Sequence, residues 1–199
     1  MSIAGILLLL LVVAIVVVVM VVWKAYNRLV TLRNRYKNSY SQIDVQLQRR
    51  YDLIPNLVET AKGYMAHERQ TLEAVMAARN QAMSAARGAA ANPGDPQAMQ
   101  QSATAEAGLT GMLGRLMMVT EAYPDLKADQ SMNMVMEELR ATENKVSFAR
   151  QAFNDEVTLY NTHREVFPSN LIANSFNFSA AELWEEITLD ARSAPRVAF

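Results

Sequence analysis

From Ile3 to Trp23 the chain reads IAGILLLLLVVAIVVVVMVVW, without one charged residue. A bilayer core about 30 Å thick needs about 20 apolar residues at about 1.5 Å each, and this run supplies them. A helix packed inside a soluble core shows a polar side; this run has none. In lipid only a helix lets such a segment satisfy its own backbone groups. The competing reading is a cleaved secretory leader, which needs a basic start, an apolar stretch of roughly 7–15 residues and a small-x-small site. No Lys or Arg precedes the run, and Val21, Val22 and Trp23 lead straight into charged residues. Residues 1–23 therefore read as an uncleaved transmembrane anchor. The absence of cysteine excludes a lipoprotein anchor, a disulfide framework and a cysteine metal site.

Lys24, Arg28, Arg33, Arg35 and Lys37 follow the run, and no acidic residue appears before Asp44. The positive-inside bias puts residue 24 onward in the cytoplasm and a very short N-terminus outside, with the opposite orientation as the alternative. Trp23 and Tyr26 suit the headgroup boundary. Trp23, Lys24, Tyr26, Arg28, Arg33, Arg35 and Lys37 are thus expected to touch the membrane surface, at roughly 1 kcal/mol per basic residue near anionic lipid. The chain as a whole holds 19 Lys and Arg against 20 Asp and Glu, which leaves no surplus for nucleic acid.

The remaining stretch of about 175 residues is the size of one domain. Helical spacing runs through it and strand alternation does not. Tyr26, Leu29, Tyr36, Tyr40, Ile43, Leu47 and Tyr51 step by three, four or seven, and no Pro or Gly lies between Trp23 and Asp52. The anchor should therefore run unbroken into a first soluble helix over 24–51, a rod on the order of 70 Å. DLIPN then predicts a turn: Pro55 lacks an amide hydrogen, and Asp52 can cap a new helix that holds Pro55 in its first turn. That second helix, 53–88, is closed by Gly88 and ANPGDP. Asp95 and Pro96 form a cap and first-position pair that opens a third helix, 96–122. Gly108, Gly111 and Gly114 lie three apart in it and suggest close approach of another helix, with a locally soft helix as the alternative. Pro124 ends that helix, a fourth spans 129–167, and Pro168 stops it. Residues 169–199 read as an irregular tail with a short helix around 180–189. The expected fold is all-α: a transmembrane helix continuous with an antiparallel up-and-down four-helix bundle over 24–168.

Chemistry is hard to find. A di-iron bundle needs Glu three residues before His, and neither His67 nor His163 has it. Two histidines cannot build a zinc protease motif, the glycines lack the strand and lysine of a phosphate loop, and no nucleophile elbow appears. No catalytic, cofactor-binding or metal-binding residue is expected. Arg33, Arg79, Glu143, Asn144, Arg150, Asn154 and Asn161 fall on or beside the inward stripes. They read as internal ion pairs and hydrogen-bond rungs in preference to a catalytic site. The 12 methionines read as core filler first and as a soft partner groove second.

Five strings carry a resemblance: YNRLVTLRNRY (26–36), SQIDVQLQRRYDLIPNLVETAKGYMAHE (41–68), EAYPDLKAD (121–129), TENKVSFARQAFNDEV (142–157) and YNTHREVFPSN (160–170). In order and spacing they closely resemble the LemA family of bacterial membrane proteins. That resemblance implies a single-pass protein of the bacterial inner membrane with a soluble antiparallel four-helix bundle and no established enzymatic activity. One relative, in magnetotactic bacteria, is tied to formation of the magnetosome membrane, and many members are encoded beside a membrane metalloprotease. The expected function is a non-enzymatic scaffold that self-assembles and organises or remodels the membrane. The apolar tail (Phe176, Phe178, Leu183, Trp184, Ile187, Phe199) exceeds what one bundle needs and points to homo-oligomers. The alternative is an adaptor or sensor presenting its bundle to a membrane protease or signalling partner.

Overall fold

A computed structural model describes residues 3–185. Six helices account for most of them: α1 (Ile3–Lys62), α2 (Arg69–Ala91), α3 (Pro96–Thr120), α4 (Pro124–Ala128), α5 (Gln130–Glu165) and α6 (Ser169–Ser175). Residues 178–185 are extended, and no strand occurs among the described residues. The fold is all-helical.

In α1 the large side chains of the first third stand exposed, as a lipid-facing segment requires. A buried stripe begins at Ala25 and continues through Leu29, Leu32, Tyr36, Tyr40, Ile43, Leu47 and Tyr51. It then passes Pro55 without losing its rhythm, through Ile54, Leu57, Val58 and Ala61. The turn expected at Asp52–Asn56 is therefore absent, and the first helix ends eleven residues later than 51. Two effects explain the correction. Pro55 removes the amide that would bond the Tyr51 carbonyl, and Arg79 Nε of α2 donates to that carbonyl instead, at 3.1 Å. A helix-interior proline costs about 3 kcal/mol. Burying Ile54, Leu57 and Val58 returns roughly 1.5–3 kcal/mol each, so the helix continues. Asp52 is no cap: its Oδ1 accepts from Gln48 Nε2 at 2.8 Å.

The first turn falls at Gly63–Glu68, where the Tyr64 and Met65 amides both bond the Ala61 carbonyl and Met65 is buried. The second helix is thus 69–91 and not 53–88. Gly88 lies inside it, and its carbonyl accepts from Asn92, beyond the helix end. Asp95 and Pro96 act as expected, with the Asp95 side chain accepting from the Ala98 amide at 2.9 Å. Pro124 opens the short α4 after α3 has ended at Thr120. Asp129 caps α5 by accepting from the Met132 amide at 2.9 Å. That helix ends at Glu165, short of 167: Val166 is already extended, with its amide bonded back to the Thr162 carbonyl, and Phe167 is exposed. Beyond it α6 forms where only a tail was expected. The helix expected around 180–189 does not form over 180–185; the rest of that range, with Ile187 and Phe199, lies outside the described residues.

α1 and α5 run antiparallel along their length: Tyr36 meets Tyr160, Tyr40 meets Phe153, and Arg49 meets Glu138. α2 packs along α3 and against α1. The close approach expected at Gly108, Gly111 and Gly114 does not occur: a Cβ at any of them would meet nothing within 4 Å.

Candidate functional site

Two polar constructions lie inside this helical assembly. The first joins α1, α3 and α5. Arg50 and Glu106 are each 3 % exposed, and Arg50 Nη1 donates to Glu106 Oε2 at 2.9 Å. Arg50 Nη2 donates to Thr110 Oγ1 at 2.9 Å and stands 3.2 Å from Glu143 Oε2. The Tyr51 hydroxyl donates to the other Glu106 oxygen, and Arg150 Nη2 lies 3.8 Å from Glu106 Oε2. Two arginines thus face two glutamates, and the cluster's formal charges balance, with Glu143 half-exposed at its edge. Burial, the Glu106 charge and the hydrogen bond all push the Tyr51 hydroxyl pKa well up, which keeps it a neutral donor. Tyr40 is pushed up too, first by burial. Breaking such a pair leaves a buried charge uncompensated, whereas an apolar replacement of the whole pair is often harmless. The cluster therefore suits holding three helices in one register. It holds no histidine, and the buried Glu106 carboxylate is engaged on both oxygens.

The second construction is a strap, the extended residues 178–185 laid against α5. Asn161 Nδ2 donates to the Ala181 carbonyl at 2.8 Å, and its Oδ1 accepts from the Ala181 amide at 3.0 Å. Asn154 repeats this two-way pairing with Trp184, at 3.1 and 2.7 Å. The spacing explains the match: seven residues of helix and three of extended chain both advance about 10 Å. Tyr160 and Arg164 donate to the Ser179 and Phe178 carbonyls, both at 2.8 Å. Phe178, Ala181 and Trp184 also step by three and are buried. Arg150 lies 4.6 Å over the Trp184 ring. The Glu182 amide donates to the carbonyl of Gly94, whose φ of 84° forms the α2–α3 turn. A Cβ there would come within 2.9 Å of Ala181.

Of the polar residues picked from the sequence, Glu143 and Arg150 enter the cluster, Asn154 and Asn161 hold the strap, and Arg79 serves Tyr51. Arg33 stacks 4.9 Å over Phe178. Asn144 is exposed and joins neither construction. Arg50 and Glu106 were missed. Extending the α3 stripe backwards from Leu109 by threes would have reached Glu106, Ala103 and Gln100, and Arg50 sits between Leu47 and Ile54 on the α1 stripe.

The residues expected at the membrane are spread along a straight helix. Trp23, Lys24, Arg28, Arg35 and Lys37 are exposed. Lys37 stands about 21 Å along the axis from Trp23, beyond a Debye length of about 8 Å. Of the set, Trp23, Lys24, Tyr26 and Arg28 lie nearest the apolar segment. At the far end, a half-open groove of about 630 Å³ lies between α1 and α2, walled by Pro55, Val58, Met65, Leu72 and Met76. His67 lies beside it, on the turn. Among the described residues no group of three or more His, Asp or Glu could hold a metal ion.

The LemA family profile matches residues 39–199, most of the chain. The chain belongs to the LemA family. It is 26 % identical over 176 residues to the magnetosome proteins MamQ 2 and MamQ 1 of Paramagnetospirillum magneticum. It is 25 % identical to the magnetosome protein MamQ of Magnetospirillum gryphiswaldense. Each match covers 81 % of this chain and 65 % of the relative, so the LemA chain spans just under two thirds of these relatives' length. The strap and the cluster both lie within the residues that match the family.

Proposed function

We propose that this LemA-family chain is a non-enzymatic scaffold of the bacterial inner membrane that self-assembles and organises or remodels the bilayer. The observation that carries this reading is α1 itself. One helix of 60 residues runs from the apolar segment into the packed domain. At about 1.5 Å per residue it is about 90 Å long, and it has no hinge between lipid and core. Force on the domain therefore reaches the bilayer as tilt of the span. The helices α1, α2, α3 and α5 read as an antiparallel four-helix bundle, with α4, α6 and the strap as trimmings. In this reading the bundle stands in the cytoplasm, neighbouring copies pack side by side, and no nucleic acid or cofactor takes part. The similarity to magnetosome proteins supports a membrane role. Electron microscopy of the full chain in mild detergent or nanodiscs tests it. Closed rings, cages or arrays are the expected result; a uniform monomer that also resists crosslinking in native membranes would end this reading.

A second reading has its own observation, the apolar groove between α1 and α2. A soft, methionine-lined groove at the membrane-distal tip fits an adaptor that presents its bundle to a membrane protease or a signalling partner. Substitution of Met76 by Glu would then abolish one stoichiometric hetero-partner on pull-down while leaving self-assembly intact.

A further inference from the structure

The exposed apolar side chains beyond the span are unevenly distributed. Val45, Tyr64, Met118, Met134, Phe148, Leu159 and Leu183 are scattered over the molecule, but Val166, Phe167, Leu171 and Phe176 crowd into one short stretch. Phe167 is 79 % exposed, Leu171 55 % and Phe176 54 %. The chain carries no charged residue from Val166 to Ala181. α6 is one-sided: Ser169 and Ala173 are buried, and Leu171 faces out.

The position of this stretch says what covers it. The Phe176 ring packs edge-on against Tyr26 at 5.0 Å, and Phe178 does so at 5.6 Å. Tyr26 lies three residues past Trp23, about 4.5 Å along the helix. The headgroup layer on each side of a bilayer is roughly 5–8 Å deep. The α5–α6 corner therefore sits at the level where α1 leaves the lipid. Lys24 and Arg28 are exposed on α1 at that level. Burial first and the Arg28 charge second lower the pKa of His163 near the end of α5, in keeping with α1 and α5 lying side by side there. Basic residues beside uncharged aromatic and aliphatic ones make the composition of an interfacial membrane contact.

We propose that the α5–α6 corner, through Val166, Phe167, Leu171 and Phe176, is a second membrane contact that seats in the headgroup–acyl boundary beside the transmembrane part of α1. This rests on reading the apolar part of α1 as a bilayer span. A single helix can swivel and tilt under its domain; a second foothold on the same bilayer restricts both, so the bundle takes a defined angle to the membrane.

The test uses the full chain in vesicles of phosphatidylcholine and phosphatidylglycerol. Because the chain has no cysteine, a polarity-sensitive fluorophore can be placed by Phe167→Cys and Leu171→Cys, with Phe148→Cys as a solvent control and Val12→Cys as a span control. Nitroxide lipids with the quencher near the headgroup report contact. The expected result is blue-shifted, strongly quenched emission at 167 and 171, with position 148 unshifted and unquenched. Quenching at 12 but not at 167 and 171 would overturn the proposal while leaving the span intact. No quenching at 12 with deep acyl-chain nitroxides would refute the span, and the proposal with it. A blue shift at 167 that lipid nitroxides leave unquenched, and that fades as protein is diluted into lipid, would show a second copy on the patch and overturn it too. In the Phe167→Cys chain, adding Leu171→Asp should release the probe from lipid without loss of helicity; an unchanged probe would also count against the proposal.

Discussion

Glu106 is the residue on which the interior turns. It accepts from Arg50 and Tyr51, and Arg150 stands close by. Glu106→Ala leaves Arg50 with only Thr110 and the half-exposed Glu143. It should cost about 3–5 kcal/mol of stability, and Arg50→Met with Glu106→Leu together should recover most of it. Denaturant melts of the full chain, followed by helicity, check both. The same interior sets an alkaline limit. Tyr36, Tyr40, Tyr51 and Tyr160 all have pKa values raised above the ordinary 10.0, each chiefly by burial. For a group raised in the folded state, the stability it lends is complete below the unfolded value and is lost as pH climbs past it. With Tyr26, Tyr64 and Tyr123 changed to Phe, phenolate absorbance should stay flat past pH 10 and then rise in one step with the loss of helicity. Gradual ionisation with the helices intact would contradict this.

Among the elements, α1 departs most from expectation. A proline at position 55 reads as a break when only local rules apply, because the residue that repairs the damage, Arg79, lies on another helix. The repair is testable by a double-mutant cycle. Arg79→Met in the natural background leaves the Tyr51 carbonyl without its donor and should cost about 1.5–3 kcal/mol. In a Pro55→Ala background the restored amide serves that carbonyl, so the same change should cost distinctly less. Equal costs in both backgrounds would mean that Arg79 acts through Asp52, 3.9 Å away, or through packing alone. The cap at Asp95 was legible because capping is local: an acid three residues before a free amide needs no distant partner. The strap was not legible, since its hydrogen bonds go to asparagines 20 and 30 residues away.

At the scale of the whole molecule, α1 joins the apolar segment to the packed core, and in the proposed reading the side of the membrane on which the core lies decides what it can meet. Lys24 and Arg28 follow the apolar segment, with no acid before Asp44, and on the positive-inside bias the reading proposed above has the core in the cytoplasm. Gln101→Cys, exposed on α3, should resist a membrane-impermeant maleimide in intact spheroplasts and react after lysis. Labelling before lysis would reverse the orientation and bring periplasmic partners into consideration.

By itself, the sequence determined the long apolar helix at the start of the chain, the all-helical class, the cap at Asp95 and most of the buried stripes. Each of these is written in composition or in a spacing of three and four, and each needs only neighbours in the chain. Tertiary structure alone decided that α1 passes through Pro55, that Arg50 and Glu106 meet, that three glycines of α3 face open space, and that residues 178–185 become a strap. Those outcomes depend on which residue of a distant element arrives within about 3 Å of an unmet donor or acceptor. A period of 3.6 states which face is apolar, but it does not state what that face will meet.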